Sequence, residues 1–175
     1  MTPCSDCFRA QGSPVSARAV AREAGVALGL VNYYYKDETG LISAALRRIG
    51  EQDVALVELD PSLPAEDRLR AALLRVAKPE FLTTEYLSLR LQLWALAQAH
   101  EDFGHINAQA QKRYRAELAK LIHAVRPNLS RSECNKRAAD VDVVQNGMWL
   151  TALLGLDRAS IRRAVRLSEE IALAP

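Results

Sequence analysis

The chain carries no apolar run near the ~18–20 residues that cross a bilayer, and no signal-type leader precedes its first patterned segment, so neither a membrane span nor secretion is expected. Cysteine is scarce, with three in 175 residues. Cys4 and Cys7 form a C-x-x-C, but no second pair and no suitably spaced histidine accompany them, and Cys134 lies far away. A metal or redox centre is therefore not expected. Scattered thiols in an unsecreted chain read as reduced, which points to the cytoplasm. His100, His105 and His123 lack metal-ligand spacing and read as surface or helix-end residues. No sign of charge is in excess: 23 Lys and Arg stand against 21 Asp and Glu, a net +2. Such a balance excludes binding through a broad basic surface, so affinity for nucleic acid must come from placement and from pairing two copies. No nucleophile with a paired base, Gly-rich phosphate loop, metal triad or spaced carboxylate pair is found. An enzyme is not expected and no cofactor is implied.

What the chain has is hydrophobic content, 49%, laid out with helical period throughout and no credible strand. The most informative stretch is Ser16 to Lys36, SARAVAREAGVALGLVNYYYK. Two short helical patterns, Ser16–Ala24 and Ala27–Tyr35, flank a Gly-Val turn. Ser16 can accept from the first free N–H groups of the first helix. Ala21 is small where two steeply crossing helices touch, and Gly25 supplies the positive φ of the turn. Val20, Val26, Val31 and Tyr34 fall where apolar contacts should close the unit. This spacing predicts a DNA-reading helix-turn-helix; the competing reading is an ordinary helical hairpin. Leu28, Gly29, Asn32, Tyr33 and Lys36 should project away from the packed side. Asn can read adenine edges, Tyr can bond phosphate, and Gly allows close backbone approach.

The run AREAGVALGLVNYYYKDETGLISAAL resembles the TetR-type transcriptional regulators in both helices, the aromatic cluster and the following Leu-bearing helix. The resemblance implies an N-terminal helix-turn-helix head on a helical ligand-binding and dimerisation body. It implies Ser16 capping the positioning helix near a phosphate, and Leu28, Gly29, Asn32 and Tyr33 on the recognition helix toward the major groove. Tyr34 and Lys36 fall where such proteins touch the DNA backbone. Three positions depart from the pattern: Ala27 replaces a capping Ser or Thr, Leu28 a polar residue, and Glu38 a phosphate-contacting Lys. The first helix of such a head would end around Phe8 to Gly12 and looks shortened.

Beyond the head, about eight or nine helices are expected in all, with a head over residues 1–50 and a body over 51–175. A long helix begins near Asp37, capped by Thr39 or Asp37, and runs toward Glu58. Others are expected from Ala65 to about Val76, from Thr84 to about Glu101 with a break at Phe103-Gly104, and over 105–125. Ser130 with Glu133 reads as a capping box for the next, Gly155 ends it, and Asp157 caps the last. The segments YLSLRLQLWALAQAHED and VVQNGMWLTALLGLD resemble the choline-responsive regulators of glycine betaine synthesis within that family. Trp94, His100 and Asp102 match in the first segment, and Gly147, Trp149 and Leu150 in the second. Asn146 stands where an Asp is frequent, which removes one counter-charge for a cationic ligand.

Trp94 and Trp149 read either as core or as an aromatic wall for a small effector, with Tyr86, Gln92 and Phe103 completing it. Gly147 reads as a close approach to a partner helix or as a packing glycine within one copy. With Met148, Ile161 and Val165 it forms the candidate dimer face. The expected function is a ligand-responsive regulator, a repressor, binding a pseudo-palindromic operator as a homodimer. The alternative is a dimeric helical ligand-binding protein whose shortened head binds DNA weakly or not at all.

Overall fold

The computed structural model describes residues 16–155 and 157–174. The C-x-x-C and the Phe8–Gly12 segment lie outside the described residues. Among those described there are eight α-helices and no strand: α1 (Ala17–Glu23), α2 (Leu28–Tyr35), α3 (Glu38–Val57), α4 (Ala65–Arg75), α5 (Thr84–Ala99), α6 (Glu101–Val125), α7 (Arg131–Leu153) and α8 (Arg158–Leu173). A 3-10 turn over Pro79–Phe81 precedes α5. Two compact units divide between Ala45 and Leu46, a point that falls inside α3.

In the head, Ser16 Oγ accepts from the Ala19 N–H at 3.2 Å and so caps α1. Gly25 has φ +66, the left-handed turn between the two short helices. Ala21 and Val31 are buried where α1 and α2 meet. Val26 and Tyr34 do not close the unit as expected: Val26 is 38% and Tyr34 70% exposed. Tyr34 lies three residues beyond Val31, near the same side of α2, but its ring packs edge to face on Tyr33, with centroids 5.4 Å apart, and stays in solvent.

Asp37, not Thr39, caps α3, its Oδ1 accepting from the Gly40 N–H at 2.8 Å. Between α2 and α3, Lys36 adopts φ +62 and ψ −56, and the Asp37 N–H donates to the Tyr35 carbonyl at 2.7 Å. This is a γ-turn centred on a non-glycine residue, a strained conformation.

Among the described residues, α4 to α8 of the body pack around apolar clusters that include two joined to the end of α3. One joins Val54 and Val57 with Leu69, Leu73, Leu118, Ile122, Ala138, Val141 and Ala172. The other is Leu56, Val76, Leu87, Met148 and Trp149. Arginine side chains tie the ends. Arg75 Nη1 donates to the Ala55 and Glu58 carbonyls, each at 3.3 Å, and so closes the C-terminus of α3. Arg126 and Arg137 hold the Leu173 and Ala174 carbonyls at the end of α8.

The break between α5 and α6 falls at His100, earlier than Phe103-Gly104. His100 is extended, with φ −131, and is at once the last cap of α5 and the first of α6. Gly104 lies inside the first turns of α6, where an added Cβ would sit 3.0 Å from the Ala97 carbonyl oxygen. It permits a close approach of two helices and breaks neither. Ser130 caps α7, its Oγ accepting from the Glu133 N–H at 3.1 Å. The reciprocal half of that box is replaced by an ion pair between Glu133 and Arg137 at 3.2 Å.

Candidate functional site

Two surfaces carry the residues singled out in the sequence. The first is the outer face of α2. Leu28, Gly29, Asn32, Tyr33 and Tyr34 are all exposed on it, and Lys36 is exposed at its end. Tyr33 and Tyr34 stack edge to face with centroids 5.4 Å apart. Ala27 makes no side-chain cap to α2, whose Leu30 N–H donates instead to the Ala27 carbonyl at 2.9 Å.

The second is a cleft of about 530 Å³, counting its open mouth, within the body. Leu46, Ile49 and Asp53 of α3 form one wall, Arg90, Leu93 and Trp94 of α5 the next. Asn107, Gln111 and Tyr114 of α6, with Asp142, Asn146 and Trp149 of α7, complete it. Of the five residues expected at an effector site, Trp94 and Trp149 line this cleft. Trp149 serves the core as well, since its Nε1–H donates to the Val76 carbonyl at 2.9 Å. Tyr86 is half-buried beside Arg90 and packs edge-on against Phe81. Gln92 is exposed and Phe103 is buried against His100, so neither belongs to the lining. Gln92 is set two residues from Arg90 on α5, which turns it roughly to the opposite side of the helix.

Arg90, 3% exposed, sits at the centre of the arrangement. Its Nη1 and Nη2 donate to Asp53 Oδ2 and Oδ1 at 3.0 and 2.5 Å. Its Cζ lies 3.9 Å from the Trp149 ring centroid, 5.4 Å from Trp94 and 5.7 Å from Tyr86. Nearby, Tyr114 donates to Gln145 Oε1 at 2.5 Å, and Asn146 Nδ2 donates to Asp142 Oδ1 at 3.0 Å. The sequence holds a signal for Arg90. Tyr86, Arg90 and Trp94 are spaced by four on an otherwise apolar helix, which stacks them on one face. Asp53 lies 37 residues away, so no local pattern reveals the pair.

Burial pushes the Asp53 carboxyl up from an ordinary 3.8 to about 6, outweighing the pull of Arg90 in the other direction. Burial likewise raises Asp142, against Arg115 and Asn146. A carboxyl raised on folding contributes stability that is present below its unfolded pKa and lost as pH rises through its folded one. The body should therefore be more stable near pH 5 than at pH 7.5, with Asp53 supplying about 1–3 kcal/mol of the difference. Thermal melts of Asp53→Asn should show that slope flattened. An unchanged slope would mean that Asp53 titrates normally.

Of the candidate dimer residues, Gly147 is exposed, and a Cβ there would meet nothing within 4 Å. Met148 is 3% exposed within a single copy and belongs to the core, so it offers no surface to a partner. Ile161 and Val165 are half-buried against the same cluster. The exposed apolar stripe is instead Val143 and Leu150 of α7 with Leu154 at its C-terminal cap, at 71%, 44% and 78%, in line with Gly147.

A helix-turn-helix ahead of an all-helical body with an internal cleft is the architecture of the TetR-type regulators. The solved structures agree. A Rhodococcus sp. protein assigned to that family superposes with TM-score 0.75 at 23% identity, over 90% of this chain and 88% of that one. A transcriptional regulator from Rhodococcus sp. Rha1 superposes with TM-score 0.73 at 19% identity, over 90% and 84%. Residues 64–173 match the model of the BetI-type transcriptional repressor C-terminal domain. The chain belongs to that family and is a transcriptional regulator. Curated relatives include the HTH-type transcriptional regulator BetI of Cronobacter sakazakii, 29% identical over 141 residues, 77% of this chain and 67% of that protein. The protein of the same name from Escherichia coli K12 is 29% identical over 142 residues, 77% and 70%. Among the described residues no helix is long and apolar enough to cross a membrane.

Proposed function

We propose that this chain is a ligand-responsive repressor that binds a pseudo-palindromic DNA operator as a homodimer in the cytoplasm. The observation that carries the reading is the face of α2. Leu28, Gly29, Asn32, Tyr33 and Tyr34 are exposed together while Val31 alone on that helix is buried. A solvated face with an amide, two phenols and a glycine suits a major groove better than a packing surface. Ser16 and the strained Lys36 stand at the two ends, where phosphate contacts would set the register. The exposed stripe Val143, Gly147, Leu150 and Leu154 supports pairing with a second copy, which would present two heads to successive major grooves about 34–36 Å apart. The cleft between α3, α5, α6 and α7 is the proposed effector site, with Trp94 and Trp149 in its wall. Because Asp53 sits on α3, a helix that carries residues of both units, a ligand there can bias the heads by favouring one state over another.

Fluorescence anisotropy with DNA from upstream of the chain's own gene, beside a random duplex, tests the reading. Selective binding is expected, and Asn32→Ala should cost about 1–3 kcal/mol and relax base preference. Equal, weak binding to both duplexes would favour the alternative, a dimeric ligand-binding protein with a silent head. The uncapped α2 and the exposed Leu28 are the observations on that side.

A further inference from the structure

Arg90 sits where a small cationic guest would sit. Faces of Trp149, Trp94 and Tyr86 surround its guanidinium, the nearest centroid at 3.9 Å, and the Asp53 carboxylate closes the remaining side. Aromatic faces attract cations through their quadrupoles, and a box of such faces is a general means of holding quaternary ammonium groups. Here the box is filled from within the chain. A free cation could enter only by giving up the Arg90–Trp149 contact and breaking a bidentate ion pair.

One edge of the guanidinium is left unpartnered. Asp53 engages the two terminal nitrogens end-on, while Nε is buried and has no acceptor among the described residues. A buried donor on a charged group is costly to leave unmade, and the planar fork can take a second oxyanion along its side. Arg90 borders both the cleft and a smaller hollow lined by Leu87, Leu91, Leu150 and Leu153 between α5 and α7. Leu46, Ile49, Leu93 and Ala110 add apolar surface for a short tail.

We propose that Arg90 closes this aromatic box to cations and makes the cleft a site for a small aliphatic carboxylate, bound along the unpartnered Nε edge of its guanidinium. The proposal rests on the cleft being the effector site. The charged groups around that edge are Asp53 of α3, Asp142 of α7 and Arg115 of α6, with the phenol of Tyr114 beside them. Arg115 faces Asp142 at 3.8 Å, and Asn146 bonds the same carboxylate. Burial biases both aspartates toward the neutral form, so an arriving anion meets less repulsion than their formal charges suggest.

The chain has two tryptophans, and both flank Arg90, so intrinsic fluorescence reports this one locus. Sodium propionate, tetramethylammonium chloride and sodium chloride at matched ionic strength are titrated into the full chain. A saturable change with propionate alone is expected. Asp53→Asn, which frees the competing end of the fork, should bind propionate about tenfold more tightly. Arg90→Met should lose the propionate response. It should also gain a saturable response to tetramethylammonium, which now finds three aromatic faces. Should Arg90→Met fail to fold, Arg90→Lys keeps the charge, lacks the Nε edge and should likewise lose propionate. A saturable tetramethylammonium response in the wild type, no propionate response there, or a propionate response surviving either Arg90 variant would overturn the proposal. Operator anisotropy on the same samples separates the two readings. Propionate bound with no change in operator affinity would remove the cleft as effector site and leave the role of Arg90 standing. Intact operator binding with no propionate response would remove this proposal alone.

Discussion

Replacing Gly40 with alanine is expected to abolish selective operator binding while leaving the body folded. A Cβ at position 40 would lie 2.0 Å from the Tyr35 carbonyl oxygen and 3.1 Å from its carbon, and both are backbone atoms. No rotamer change can relieve such a contact. The Tyr35 carbonyl is also the acceptor of the γ-turn that closes around Lys36, and the Gly40 N–H is held by Asp37. The methyl group therefore forces apart the joint that sets the end of α2 against the start of α3. A cost of about 3 kcal/mol to the head is reasonable for an overpacked backbone contact, and operator affinity should fall about a hundredfold. Hydrogen exchange should show lost protection over residues 17–35 with the body unchanged. Gly29→Ala is the contrasting control, because nothing lies within 4 Å of a Cβ there. That change should steady α2 slightly, by about 0.5–1 kcal/mol, and lower operator affinity only if the DNA backbone approaches position 29. Wild-type operator affinity in Gly40→Ala would show that the α2–α3 joint has slack that the geometry does not suggest.

The second large effect is expected from carboxylates placed on the exposed stripe of α7. Val143 on that helix and Leu154 just past its end are its most exposed apolar residues, spaced to share a face with Gly147 and Leu150. In a two-fold pair each would meet its own counterpart or a near neighbour, so Val143→Glu with Leu154→Glu buries several like charges together. Leaving such charges desolvated and unpaired costs about 3–5 kcal/mol, enough to turn a stable dimer into a monomer at micromolar concentration. Sedimentation should show a single copy, and operator affinity should collapse because one head alone makes too few contacts. Thermal stability should fall only by the stabilisation that the second copy supplied, because both side chains are exposed within one copy. Leu74→Glu on α4, at a residue 59% exposed, should leave assembly untouched. A double variant that remains dimeric would move the interface elsewhere on the body.

The parts of this fold that could be read from sequence are the parts fixed by near neighbours. Ser16, Ser130 and Asp157 cap helices through N–H groups three residues on, which is a local pattern. Gly25 answers a need for positive φ within one turn, and the buried pair Ala21 and Val31 follows from helical spacing. What resisted reading was non-local or contrary to propensity. Lys36 takes a positive φ that its side chain disfavours, and the reason lies in the Tyr35–Asp37 hydrogen bond. The join at His100 has no glycine or proline to announce it. Met148 and Gly147 are adjacent, yet the first faces the core and the second solvent, a phase that only the packing of α7 reveals. The Arg90–Asp53 pair joins two helices far apart in sequence. An arginine in an apolar helix is ambiguous until its partner is known.

The division between Ala45 and Leu46 has a consequence that belongs to genetics. The cleft and the exposed stripe of α7 both lie on the body side of that point, while the face of α2 lies wholly before it. On the proposed reading, an allele that damages only the head, Gly40→Ala among them, still yields a subunit able to pair and to take up ligand. In a cell that also carries the intact gene, mixed pairs with one working head should outnumber fully working ones as the damaged copy is expressed. Head alleles should therefore behave as dominant, poisoning the intact regulator, and body alleles that prevent pairing as recessive.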